Sequence, residues 1–326
     1  MSTLRVALIG YGLSGKLFHC PLIKSCPELE ITAVVSSRES EIHNDLPKAQ
    51  VVTFERALEL SDLVVITTPH QLHFDQAKVA LKAGKHVVVE KPFTATTSQA
   101  QELFQIAKDK KLILKVFFNR RFDADYLTLK ALVDSGELGE IKTVESHFDR
   151  FRPNPKKDAW REKAGAQSGI WWDLGPHLID QALSLFGKPS DIHYDIGKQR
   201  GGEADDFFDV TFKYEKGVRF HLRASCIVKD FGFRFRVHGT KGSVVFKRLD
   251  VQEEQLRAEK SPLDSDFGLY PEDAVEASPG IEVKLKAGCY VSFYRDLITS
   301  ISCAINQSEE QAAVIYGTQI LSLDIV

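Results

Sequence analysis

Three groups of residues in this 326-residue chain have types and spacings that fit a working site. The first is Gly10-Tyr11-Gly12-Leu13-Ser14-Gly15, where an apolar run gives way to an amphipathic one. Gly10 permits a tight turn, Gly12 lets backbone approach a pyrophosphate with no side chain between, and Gly15 lets the next helix pack close to its strand. The N–H groups of that helix's first turn would hold the phosphates. The second group is Glu90-Lys91-Pro92, which closes another apolar run and so puts a lysine at the carboxyl edge of a sheet, where open α/β folds bind ligands. The third is Gly169-Ile170-Trp171-Trp172-Asp173-Leu174-Gly175-Pro176-His177. Asp173 and His177 are four residues apart and share one face of a helix. Taken by themselves they read more readily as a helix-capping or surface pair than as catalysts. Pro176 fits a first turn better than a helix interior, so the helix either starts or kinks there.

The second apolar run ends at Val35 and is followed by Ser36-Ser37-Arg38. Sites that prefer NAD place a carboxylate about 20 residues beyond the glycine turn to bind the ribose hydroxyls. Two hydroxyls and a guanidinium instead donate to, and pair with, a 2′-phosphate. NADP(H) is the expected cofactor, with NAD the weaker alternative. Under the plainer reading Arg38 lies over the adenine ring or in solvent, and both cofactors are used.

These groups need rigid elements. Leu4–Ile9, Ile31–Val35, Leu63–Thr67, His86–Glu90 and Leu112–Phe117 read as buried strands, with helices between them at Leu17–Ser25, Asp75–Ala83 and Ser98–Lys110. Strand and helix in alternation make a doubly wound parallel sheet, an α/β Rossmann domain over residues 1–118. Beyond it, helices at Ala124–Ser135 and Leu174–Phe186 precede strictly alternating strands. Val218, Phe220, Leu222 and Ala224 oppose Arg219, His221 and Arg223; Phe233, Phe235 and Val237 oppose Arg234, Arg236 and His238. Residues 119–326 are thus expected to form an α+β substrate-binding and oligomerisation domain with a large, open, mainly antiparallel sheet. Its polar face is either solvated surface or a subunit contact. Residues Glu253–Glu282, with three prolines, read as an irregular excursion, a lid or a subunit contact.

Composition removes other classes. With 43% hydrophobic and 27% charged residues and a net charge of −3, the chain has the balance of a globular protein and no general attraction for nucleic acid or anionic lipid. No apolar run approaches the length that spans a bilayer. The five cysteines are scattered without CxxC pairs, which favours reduced thiols and a cytoplasmic location. His70 and His73 have no further ligands nearby, so no metal is expected.

The glycine turn, the Glu-Lys-Pro sequence and the Asp-x-x-x-His segment, in that order, resemble the glucose-fructose oxidoreductase and inositol dehydrogenase (Gfo/Idh/MocA) family. The resemblance covers nearly the whole chain. His147-Phe148-Asp149-Arg150-Phe151-Arg152-Pro153 and Trp160-Arg161-Glu162 look most like its NADP-dependent scyllo-inositol dehydrogenase branch. The resemblance implies that Lys91, Asp173 and His177 surround a reacting carbon. His177 would take the hydroxyl proton as hydride leaves, Lys91 would stabilise the developing alkoxide, and Asp173 would orient the histidine or hold a neighbouring hydroxyl. The proton role passes to Lys91 if burial lowers its pKa. By position, Thr67, Thr68, Pro69, His70 and His73 would follow the nicotinamide half of the cofactor, although His70 stands where the family often has asparagine. Asn119, Arg120, Trp160 and Arg161 would meet cofactor or substrate, and Phe148 and Arg150 would line the substrate side. The implied protein is an NADP-dependent dehydrogenase of a cyclic polyol or sugar, a homodimer or homotetramer through its second sheet. A cofactor-binding sensor without turnover and a cofactor-dependent glycosidase are the alternatives.

Overall fold

The structure is a computed structural model that describes residues 3–155, 162–163, 165, 167–303 and 308–323. The chain divides into two compact units. The first holds Met1–Phe122, Gln252–Phe267 and Cys289–Ser322, and the second holds Asp123–Val251, Gly268–Gly288 and Leu323–Val326.

In the first unit, β1 (Leu4–Ile9), β2 (Leu29–Val35), β3 (Gln50–Val51), β4 (Leu63–Ile66), β5 (His86–Val89) and β6 (Leu114–Val116) form one all-parallel sheet in the order β3-β2-β1-β4-β5-β6. Both faces are covered, which explains why the strands are apolar without alternation. Val6, Leu8, Leu63 and Val65 pack into one core, while Ala7, Ile9, Val64 and Ile66 pack into the other. The helices are α1 (Cys20–Lys24), α2 (Glu39–Asp45), α3 (Phe54–Glu59), α4 (His73–Lys82) and α5 (Thr97–Asp109). A π-wound turn, Ser14–His19, leads into α1, and its last ring closes from the Cys20 N–H to the Gly15 carbonyl. Helix thus begins earlier than the expected Leu17, because the turn itself winds.

In the second unit, α6 (Ala124–Ser135) and α7 (Gly169–Phe186) accompany β7 (Ile141–His147), β8 (Asp191–Gly197), β9 (Phe207–Lys213), β10 (Arg219–Ser225), β11 (Phe235–Gly239), β12 (Ser243–Phe246) and β13 (Val275–Ala277). The seven strands run β13-β12-β11-β7-β10-β9-β8, antiparallel except for β7 beside β10. Helix α7 lies against β9 and β10, over the buried row Phe208, Val210, Phe212, Phe220, Leu222 and Ala224.

Four expectations need correction. Helix α7 starts at Gly169 and contains Pro176 inside it; proline removes one N–H donor, but a start anchored elsewhere carries the helix through. The alternation at Phe233–His238 breaks at Arg234, which is buried, because the strand begins only at Phe235 and Phe233 turns to stack on His147 at 4.3 Å. The excursion at 253–282 contains much of α8 (Gln252–Arg257) and the edge strand β13. Finally, a single cut at 118/119 misses the return of the chain. Helices α8, α9 (Val291–Cys303) and α10 (Ser308–Leu321) lie in segments that belong to the first unit, where Tyr290, Val291, Phe293, Tyr294 and Leu297 join the core containing Val6 and Leu8.

Candidate active site

The glycine turn sits where β1 and β4 diverge to opposite halves of the sheet, the switch point at which such folds bind ligands. Gly10 has φ +99°, and a Cβ there would lie 2.8 Å from Thr67 Oγ1. A Cβ on Gly15 would lie 2.5 Å from the Gly10 carbonyl oxygen, so the turn closes only around a bare α-carbon. Gly12 differs. A Cβ there meets no protein atom within 4 Å, which leaves its backbone facing an open cradle that suits a pyrophosphate. Leu13 is exposed beside it, while Tyr11 is buried and its hydroxyl donates to Asp45 at 2.9 Å.

Ser36, Ser37 and Arg38 follow the carboxyl end of β2. The Arg38 N–H donates to Ser36 Oγ at 3.2 Å, and the half-exposed guanidinium is 3.4 Å from Glu41. Lys16 pairs with the same Glu41 and with Asp45, each at 3.1 Å.

Around β4 and β5 the expected cofactor contacts separate into two kinds. The Thr67 hydroxyl donates to the Ile9 and Gly10 carbonyls at 3.1 and 2.9 Å, which braces the glycine turn from behind. The Thr68 hydroxyl donates to Gln76 Oε1 at 2.6 Å. Pro69 is exposed, and His70 opens a short 3-10 turn. His73 is buried with Nδ1 2.8 Å from the Pro92 carbonyl and Nε2 2.9 Å from that of Thr68. Burial lowers its pKa, and the two carbonyls only partly oppose this. The neutral ring has one N–H and so donates to one of these two carbonyls, which places His73 as a brace between the loops after β4 and β5. Arg120 likewise turns inward, 3.0 Å from Glu253 and 3.4 Å from the Tyr290 hydroxyl. Asn119 is buried next to it.

Lys91 follows β5 and is half-buried. Its backbone N–H donates to Glu90 Oε2 at 3.0 Å. Glu90 Oε1 accepts from the Ser14 hydroxyl and lies 3.0 Å from His19 Nε2, and His19 Nδ1 lies 2.5 Å from the Tyr294 hydroxyl. Burial pushes the Glu90 carboxyl up, but His19, Ser14 and Lys91 outweigh it, and its pKa falls below the usual carboxylate range. Sequence reasoning missed His19 and Tyr294. The available signal was a polar residue on the buried face of each helix.

In the second unit, α7 is anchored from a distance. The Trp171 N–H donates to Asp205 Oδ2 at 2.7 Å, the Ile170 N–H to the Asp205 carbonyl at 3.0 Å, and a Cβ on Gly169 would strike the same carboxylate at 2.0 Å. Asp205 therefore does the capping, and the capping reading of Asp173 falls away. Asp173 and His177 stand on successive turns of one continuous helix, and Arg150 reaches Asp173 at 3.4 Å. The Phe148 and Arg150 N–H groups donate to the Arg223 and Ser225 carbonyls at 2.8 Å each, which fixes their segment along β10. Phe148 is buried under Arg234, whose guanidinium lies 4.6 Å from its ring centre and donates to Ser146 Oγ at 2.6 Å and to Gln181 Oε1 at 2.8 Å. Arg234 also pairs with buried Asp125 at 3.6 Å. Trp160 and Arg161 lie outside the described residues. Among the described residues no helix is long and apolar enough to cross a membrane.

A doubly wound sheet with an open glycine cradle at its switch point, followed by an open-sheet domain that carries an aspartate–histidine helix, defines a dinucleotide-binding oxidoreductase of two units. Residues 4–118 match the oxidoreductase family with an NAD-binding Rossmann fold, and residues 126–245 match the GFO/IDH/MocA C-terminal domain. The chain belongs to the GFO/IDH/MocA family of oxidoreductases. It is 46% identical over 276 residues to the uncharacterized oxidoreductase YdgJ of Escherichia coli, with 83% of this chain and 79% of that protein covered. It is 37% identical over 316 residues to the scyllo-inositol 2-dehydrogenase (NADP(+)) IolW of Bacillus subtilis, covering 92% and 87%. Among solved structures, the oxidoreductase YvaA of Bacillus subtilis superposes with a TM-score of 0.92 at 34% identity, covering 99% of this chain and 96% of that one.

Proposed function

We propose that the protein is an NADP(H)-dependent dehydrogenase or reductase acting on a CH–OH group of a cyclic polyol or sugar. The observation that carries this reading is the continuity of α7, which puts Asp173 and His177 on one face with Asp173 tied to Arg150. The similarity to an NADP-dependent scyllo-inositol 2-dehydrogenase supports the substrate class. When bound, the nicotinamide supplies or accepts the hydride. In the oxidative direction the carbinol C–H pair leaves as hydride, the hydroxyl proton passes to His177, and the oxygen becomes a carbonyl. Lys91 donates to that oxygen as charge develops, and Asp173 with Arg150 orients the imidazole or a neighbouring hydroxyl. Lys91 takes the proton role if His177 only positions substrate. Ser36, Ser37 and the half-exposed Arg38 receive the 2′-phosphate, which favours NADP(H) over NAD. The polar face of the seven-stranded sheet is our choice for a dimer or tetramer contact, and light scattering of the purified chain tests it.

Initial rates with NADP and NAD against scyllo-inositol, myo-inositol and common aldoses, and in reverse with their keto forms, test the reaction. NADP-dependent turnover of one of these is expected. Lys91→Met is expected to lower kcat by about a hundredfold or more with NADPH affinity kept. Tight NADPH binding without turnover of any substrate would favour a sensor, and sugar release without net reduced nicotinamide would favour a glycosidase.

A further inference from the structure

We propose that Tyr294 and His19 form a buried positioning chain that sets the place of Lys91 through Glu90. The inference rests on the proposed role of Lys91, but the chain itself lies wholly within the first unit. Tyr294 comes from α9 and His19 from the π-wound turn, 275 residues apart in sequence and both fully buried. Burial raises the pKa of Tyr294 well above its ordinary value, so the phenol keeps its proton and donates to His19 Nδ1. His19 Nε2 then carries the ring hydrogen and donates to Glu90 Oε1, the only direction an ionised carboxylate allows. Glu90 Oε2 is left to accept the Lys91 N–H. Phe117 holds the His19 ring from the side, with centroids 4.1 Å apart.

This arrangement does more than neutralise a buried acid. An apolar side chain would fill the same space at lower cost than a buried polar chain of three groups. The carboxylate accepts from the lysine's own backbone on one oxygen and from Ser14 of the glycine turn on the other. One group therefore fixes the cradle and the lysine together. His19 and Tyr294, both fully buried, act through that carboxylate and keep it in one pose.

The test uses the full-length protein and three substitutions. His19→Gln keeps a donor near the Nε2 position, His19→Asn keeps only a group facing Tyr294, and Tyr294→Phe removes one hydroxyl from an otherwise unchanged ring. The readouts are kcat and KM with NADP and scyllo-inositol, NADPH affinity by fluorescence, and hydrogen exchange of the Lys91 amide by mass spectrometry. His19→Asn is expected to lower kcat by about tenfold to a hundredfold, to raise KM for NADP by less, since Ser14 holds the carboxylate directly, and to speed exchange at Lys91. His19→Gln should recover most of both losses. Tyr294→Phe should lower kcat by about threefold to tenfold, the worth of one hydrogen bond. Unchanged exchange at Lys91 in both His19→Asn and Tyr294→Phe, or equal losses in the two His19 variants, would overturn the chain. The exchange readout needs no turnover. If Lys91→Met is fully active while exchange responds as expected, the role of Lys91 fails and the positioning chain stands.

Discussion

Each of the two units holds a buried charge in a network of hydrogen bonds, and the two charges are of opposite sign. In the first, the Glu90 carboxylate is stabilised by three donors drawn from the glycine turn, the π-wound turn and the backbone of Lys91. In the second, the Arg234 guanidinium spans β7, α7 and α6 through Ser146, Gln181 and Asp125, with Phe148 and Phe235 against its flat faces. The parallel sheet is largely apolar on both faces, and Glu90 and Lys91 sit just past the end of β5. The open sheet has room for a cation between strand and helix. In each unit a buried charge thus acts as a bracket whose sign matches what it holds: N–H and O–H donors around Glu90, and hydroxyl, amide-carbonyl and carboxylate acceptors around Arg234.

The largest effect expected from breaking this contrast is on Arg234. Arg234→Met should cost about 3–5 kcal/mol in urea unfolding because the buried Asp125 carboxylate loses the guanidinium charge beside it, and adding Asp125→Asn should return part of the loss. No recovery in the double variant would mean that packing on Phe148, not charge, is what Arg234 supplies.

Within the glycine turn the comparison sharpens to two positions. Gly15→Ala should lower the melting temperature, since its Cβ meets the Gly10 carbonyl. Gly12→Ala should leave the melting temperature alone and weaken NADPH and NADH together, since its Cβ meets only the cradle. Titration of both cofactors against both variants, with calorimetry, separates folding from binding. Arg38→Ala should weaken NADPH by about tenfold to a hundredfold, the range for a charge-assisted bond, with NADH much less affected. Equal losses would remove the 2′-phosphate assignment.

The smallest effect concerns pH. The folded pKa of Glu90 is depressed, so its contribution is fully present above the ordinary carboxylate pKa of about 4.3 and disappears as pH falls through the lower folded value. Asp205 is the reverse. Burial raises its pKa, so its contribution is fully present below about pH 3.9 and is lost as pH rises through the folded value. Urea midpoints between pH 3 and 7 should therefore show Glu90→Gln less stable than wild type at neutral pH, and Asp205→Asn equal or more stable. The opposite order would contradict both shifts.

How much of this was legible in the sequence depended on how local the cause was. The parallel strands were readable because both faces are buried and each strand is a plain apolar run; the cradle was readable because its glycines lie within six residues. The start of α7 was misplaced because its anchor, Asp205, is 34 residues away from Trp171, whereas Pro176 is adjacent. Arg234 was put on the wrong face because the alternating pattern begins before the strand does. The protein partners of His73 and Arg120, two loop carbonyls for the first and Glu253 with Tyr290 for the second, come from distant segments and carry no sequence signal. His19 and Tyr294 show locally only as polar residues on otherwise apolar faces, with nothing in the sequence to pair them across 275 positions.

The return of α9 to the first unit has a consequence for how the protein is made. The parallel sheet emerges from the ribosome with one face lacking Tyr290, Val291, Phe293, Tyr294 and Leu297. Those residues follow Phe117 by roughly 170 positions, about ten to thirty seconds of translation at common elongation speeds. Until then the nascent nucleotide unit carries an open apolar face, and Lys91 is translated well before the helix that completes its support.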